Sequence, residues 1–163
     1  MWDNWVLERY AQRYGLMFKF TLESAIEAKN QRRLHQWVIK YLNDEGDNKK
    51  LSKILTEEKY IWMDLVKYPL NQLKRVMGPE KGMLFQENLR KWNRRVEHFI
   101  RCINKEELLP PIIATDFWNG VHISDGTHRF EALKKTGHKK YWTIFYVKNE
   151  NNKQGVLSNI SKV

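Results

Sequence analysis

The stretch Ile123-Ser124-Asp125-Gly126-Thr127-His128-Arg129 does most to limit what this chain can fold into. It closes a run in which Val121 and Ile123 alternate with His122 and Ser124, the period of a half-buried strand. It opens a segment in which Phe130, Ala132 and Leu133 share a helical face, with Lys134 and Lys135 in the last turn and Gly137 placed to end it. A glycine loop between strand and helix aims backbone N–H groups, and the positive end of the helix dipole, at whatever lies before Thr127. A phosphate fits there. His128 and Arg129 stand at the helix end where cations are disfavoured, and an anion that neutralises them is the simplest reason for their presence. The alternative is a plain strand-turn-helix corner with Thr127 as N-cap and two solvated cations.

The same residues resemble a known family. Asp125-Gly126-Thr127-His128-Arg129, continued by Phe130-Glu131-Ala132-Leu133 and Gly137, is similar to the phosphate-binding motif of the ParB/sulfiredoxin superfamily. There a Gly-Glu-Arg-Arg, Gly-Cys-His-Arg or Asp-Gly-His-His-Arg type of sequence leads the same helix. Leu109-Pro110-Pro111-Ile112-Ile113 resembles the proline-led strand before that motif, and residues 141–147 the strand after it. The likeness covers residues 62–147, about half of the chain.

Composition narrows the partners. With 163 residues the chain is long enough for one well-packed domain with a helical extension. Aromatic residues make up 13% of it, seven of them Trp, which excludes a disordered tail. Lys and Arg outnumber Asp and Glu by 29 to 19, and the net charge of +10 favours a polyanion: nucleic acid, a phosphorylated ligand or an acidic membrane surface. Cys102 is the single cysteine, so neither an internal disulfide nor a multi-cysteine metal site can form. No stretch has the length of a membrane span and the N-terminus has no leader pattern, so no membrane partner and a cytoplasmic location are expected.

Along the chain, residues 3–14 read helical, and a second helix is expected to start near Thr21 and run to Tyr41, with Leu22, Ile26, Leu34, Trp37 and Val38 at helical spacing. Thr21 can cap it, but Thr21 with Ser24 makes no capping box in this reading. Residues 43–48 are an exposed turn, since the spacing and terminal Glu of a calcium loop are missing. A short helix follows over residues 50–59. Residues 60–66 suit a strand that Pro69 ends. Residues 73–82, with paired Gly and Pro and several charges, form a loop. The longest helix is expected over residues 84–103 with a core stripe from Leu84 and Phe85 to Ile103. Arg90, Arg94 and Arg101 fall on one outward side of it, beside Lys91 and Arg95: either a solvated surface or a phosphate-backbone contact. Cys102 and His98 read as packing residues. The Asn119-Gly120 pair makes residues 112–124 a hairpin, with Phe117 and Trp118 at its tip covering a core edge or stacking on a base. The remainder, residues 148–163, reads as a loose tail.

The expected fold is therefore α/β (α+β), a small mixed sheet with surrounding helices. A helical extension spans residues 1–59, a ParB/sulfiredoxin-like nucleotide-binding domain residues 60–147, and a tail residues 148–163. The resemblance implies ATP or ADP with its phosphates held by Gly126, Thr127, His128 and Arg129, and a basic residue such as Arg75 reaching the nucleotide from the loop. Asp64, Glu80 and Lys81 are the other candidates near that loop. By likeness to free-serine-kinase members, Asp125 and His128 would be catalytic, with Asp125 also holding Mg2+, in phosphoryl transfer to a small hydroxyl-bearing substrate. The other reading is a ParB-like nucleic-acid-binding module switched by nucleotide.

Overall fold

The computed structural model describes residues 19–117 and 120–160; the helix expected over residues 3–14 lies outside them. Its axis is β8 (Lys140–Val147), whose Tyr-Trp-Thr-Ile-Phe-Tyr-Val run is entirely aromatic or β-branched and is largely buried. Along one edge β1 (Ile61–Trp62) and β2 (Val66–Pro69) pair antiparallel with it. On its other side lies β6 (Ile112–Asp116), parallel, then β7 (Val121–Asp125), antiparallel to β6, and finally β3 (Leu73–Lys74), parallel to β7. A separate ladder joins β4 (Met77–Gly78) to β5 (Phe85–Gln86).

Strand alternation sends side chains to both faces, and each face has its own helices. Ile113, Ile144 and Tyr146 pack with Phe20, Trp37, Val38 and Leu42 beneath α1 (Leu22–Asn30), α2 (Leu34–Asn43) and α3 (Lys49–Glu57). Ile112, Ala114, Phe145 and Val147 pack with Cys102, Phe130, Leu133 and Val156 beneath α4 (Leu89–Asn104), α5 (Thr127–Lys135) and α6 (Glu150–Ile160). The result is a mixed sheet between two helical layers.

Several expectations are corrected. The helix from Thr21 to Tyr41 is two helices, because Arg32 takes φ 58 and turns the chain at Gln31–Arg33; the corner lets Ala25 and Ala28 be buried along with Trp37 and Tyr41. Thr21 and Ser24 do form a capping box, each side-chain oxygen accepting the other's backbone N–H at 3.1 and 3.0 Å, so a serine replaces the usual Glu or Gln. The strand over residues 60–66 is broken at exposed Asp64 and resumes as β2, which Pro69 ends as expected. The long helix begins at Leu89 after an Asn88 cap, leaving Leu84 and Phe85 exposed instead of in its stripe. Residues 150–160 are a helix, not a loose tail: Val156 is buried, and Asn159 donates to the Tyr68 hydroxyl at 2.9 Å.

Candidate functional site

β7 ends at Asp125, and Gly126 turns the chain into α5 with φ 101, a left-handed conformation that favours glycine. A Cβ at Gly126 would also stand 2.7 Å from Arg129 Nη2. Gly126, not Thr127, is the N-cap; Thr127 is the first helical residue, and no side chain caps the helix. The helix start therefore opens into a cavity of about 1220 Å³. The α2–α3 corner supplies Tyr41, Glu45 and Asn48 to its wall, α4 supplies Arg94, His98 and Arg101, and the sheet supplies His122, Ser124 and Tyr146.

Arg129 does not reach into the cavity as a free cation. It is 5% exposed, with Nη1 donating to the Tyr41 hydroxyl at 2.7 Å and Nη2 to Pro111 O at 3.0 Å and to Asp125 Oδ2 at 3.3 Å. Its Nε has no partner among the described residues. Asp125 is enclosed in turn: Asn48 Nδ2 donates to Oδ1 at 3.1 Å and the Tyr41 hydroxyl to Oδ2 at 3.2 Å. Burial pushes the Tyr41 phenol well above its ordinary value, with Arg129 pulling the other way, so Tyr41 keeps its proton and passes a hydrogen bond from Arg129 to Asp125.

His128 lines the cavity too, and packs against the start of α4. Its Nε2 donates to Glu87 Oε2 at 2.6 Å and its ring lies 4.8 Å from that of Trp92. Burial lowers its pKa while Glu87 opposes the shift, so the imidazole is held neutral. Glu87 also lies 3.8 Å from Arg95 and 4.0 Å from Lys91. Arg75 stands outside the cavity wall, with Nη2 2.6 Å from Glu80, Nε 3.7 Å from Glu131 and its guanidinium over the Trp92 ring at 4.9 Å. Asp64 and Lys81 are exposed and line no part of the cavity. The cations that line it without an ion-pair partner among the described residues are Lys50, Arg94 and Arg101.

The residues of the sequence motif thus come together at one corner of the cavity: Gly126 and Thr127 form the helix start, while the side chains of Asp125, His128 and Arg129 are tied by hydrogen bonds to neighbouring elements. The described residues contain no group of three His, Cys, Asp or Glu side chains that could hold a metal, and both Asp125 oxygens already accept hydrogen bonds. They do not fit a protein-held magnesium ion. Residues 43–48 are more than an exposed turn, since Glu45 accepts the backbone N–H groups of Lys19 and Phe20 and Asn48 reaches Asp125. Tyr41 and Asn48 lie 84 and 77 residues before Asp125 in sequence, and no local signal marks either as part of a site. Glu87, two residues before α4, carries no local signal of its pairing with His128 either.

No family model matches this chain. No curated protein matches it. Solved structures do. A sulfiredoxin from Arabidopsis thaliana is 20% identical over 58% of this chain and 98% of its own, with a TM-score of 0.41. A Pnob8-like ParB-N domain is 15% identical over 59% of this chain and 33% of its own (TM-score 0.38). A truncated chromosome-partitioning ParB from Caulobacter crescentus, complexed with CTP-gamma-S, is 18% identical over 62% of this chain and 55% of its own (TM-score 0.40). Among the described residues, no helix is long and apolar enough to cross a membrane.

Proposed function

We propose that the cavity binds a nucleotide with its phosphates at the start of α5, and that the protein transfers a phosphoryl group from ATP or ADP to a small hydroxyl-bearing substrate. The observation that carries the reading is the helix start itself: Gly126 at φ 101, no side-chain cap, and an opening onto a cavity lined by Arg94, Arg101 and Lys50, which have no ion-pair partner among the described residues. Backbone N–H groups and the helix dipole favour an anion there, and arginine suits forked contacts to phosphate oxygens. Asp125 and His128 act in this reading by holding the loop's shape, and Arg75 acts only indirectly, through Trp92, whose ring it covers and which packs on His128. Any magnesium would arrive on the phosphates.

Calorimetric titration with ATP, ADP, CTP and GTP, with and without magnesium, tests the binding, and a screen of small hydroxylated metabolites for nucleotide-dependent phosphorylation tests the transfer. Micromolar binding of at least one nucleotide is expected. Absence of binding by all four defeats the reading. A second reading, nucleic-acid binding switched by nucleotide, draws on the exposed Arg90, Arg94 and Arg101 along α4. It requires a nucleotide-dependent gel shift of DNA or RNA.

A further inference from the structure

The sheet face beside the phosphate corner carries a polar row that the proposed phosphate contacts do not use. Thr115, His122, Ser124 and Tyr146 come from three adjacent strands, β6, β7 and β8, and all four line the cavity. Thr115 stands opposite His122 in the β6–β7 register, and the alternation that buries Val121 and Ile123 on the other face sends His122 and Ser124 to this one. Ser124 Oγ and the Tyr146 hydroxyl are 2.6 Å apart. Only one of their two protons lies between them, so the pair keeps a donor and lone pairs for a ligand. Thr115 Oγ1 donates to Tyr146 O at 2.6 Å and retains acceptor capacity. His122 Nδ1 is buried and has no hydrogen-bond partner among the described residues. Phe117 lies edge-on to His122 with ring centroids 6.2 Å apart, and is 60% exposed.

From this row we infer that Thr115, His122, Ser124 and Tyr146 form a subsite for a vicinal diol, the ribose of the bound nucleotide. The inference rests on the nucleotide reading and deepens it. A diol offers two O–H donors and two acceptors at fixed spacing. One hydroxyl hydrogen-bonds the imidazole that His122 presents to the cavity, and the other accepts from the Ser124–Tyr146 pair. The direction is also right: at ~3.3 Å of rise per residue, Ser124 and His122 lie roughly 7 and 13 Å along the chain from Gly126, so a sugar extending from phosphates at the helix start runs back along β7. A base attached to that sugar reaches the exposed ring of Phe117. The row contains no carboxylate, lysine or arginine, which suits a neutral sugar better than another phosphate.

Calorimetry on the full chain compares ATP, dideoxy-ATP, which lacks both ribose hydroxyls, and inorganic tripolyphosphate. ATP should bind about tenfold more tightly than dideoxy-ATP, the scale of one or two net hydrogen bonds. His122→Ala and Ser124→Ala should each bring the two nucleotides to near equality while leaving tripolyphosphate affinity unchanged. Should His122→Ala fail to fold by circular dichroism, the wild-type comparison and Ser124→Ala still decide. Equal wild-type affinity for ATP and dideoxy-ATP overturns the subsite, and so does a preference that survives in the folded variants. In both cases retained tripolyphosphate binding leaves the phosphate site standing. If no phosphate compound binds, the nucleotide reading and the subsite fail together.

Discussion

Tyr41, Pro111 and Asp125 accept from the two Nη atoms of Arg129, and Phe99 lies against its guanidinium at 6.0 Å. The side chain that the motif presents as a phosphate ligand is thus a strut between the helix start, the α2 layer and the proline-led turn before β6. Removing it leaves the Asp125 carboxylate without its cation and Pro111 O without this donor, so Arg129→Ala should lower unfolding free energy by about 3–5 kcal/mol, measured by urea denaturation. The sequence alone suggests the reverse, weaker nucleotide binding in a well-folded variant, because it cannot reveal that a cation in the first turn meets an acceptor from another layer. Arg101→Ala is the contrasting change: exposed and without an ion-pair partner among the described residues, Arg101 can be removed with the urea midpoint left in place and ATP weakened by up to about tenfold. A midpoint unmoved by Arg129→Ala would return that residue to the ligand role.

Between elements, α4 and α5 meet at His128, Glu87 and Trp92. The folded His128 pKa lies below the ordinary 6.5, so the unfolded chain takes up this proton first. Its contribution to stability is complete above that value and is lost as pH falls through the lowered folded pKa. Urea midpoints measured from pH 6.5 down toward the carboxylate range should therefore drop, and His128→Gln should flatten that slope; an equal slope in the variant would show that another group carries it. Elements were legible in the sequence wherever one physical signal ruled. The alternation of residues 121–124, the glycines bracketing α5 and the Asn-Gly pair placed β6, β7 and α5 within a few residues. Where local and distant forces compete the reading slipped. An apolar period carried the first helix through Arg32, because nothing local announces a positive φ at an arginine. The same period drew Leu84 and Phe85 into α4, although β5 pairs Phe85 with Met77. The polar composition of residues 148–163 hid a helix anchored by one buried valine, Val156.

At the scale of the molecule, the boundary drawn in the sequence at residue 60 runs through a core. Leu42, Val38, Trp37 and Leu55 from the first helical layer pack with Leu65, Ile113, Ile144 and Tyr146 of the region beyond it, and Leu42 and Val38 are fully buried. The same layer delivers Tyr41 and Asn48 to Asp125. A chain that starts at residue 60 would expose one whole face of β6 and β8 to water and release two of the three side chains that fix the Asp125 carboxylate. Exposed apolar surface of that kind is ordinarily covered, by a partner or by aggregation. Residues 60–163 expressed alone should show no cooperative urea transition, bind a hydrophobic dye and lose nucleotide affinity. Leu42→Ala in the full chain should cost about 2–5 kcal/mol, as other large-to-small changes in a packed core do. If the shortened chain instead unfolds cooperatively and binds ATP as the full chain does, the first three helices are an appendage and the phosphate corner is complete without them.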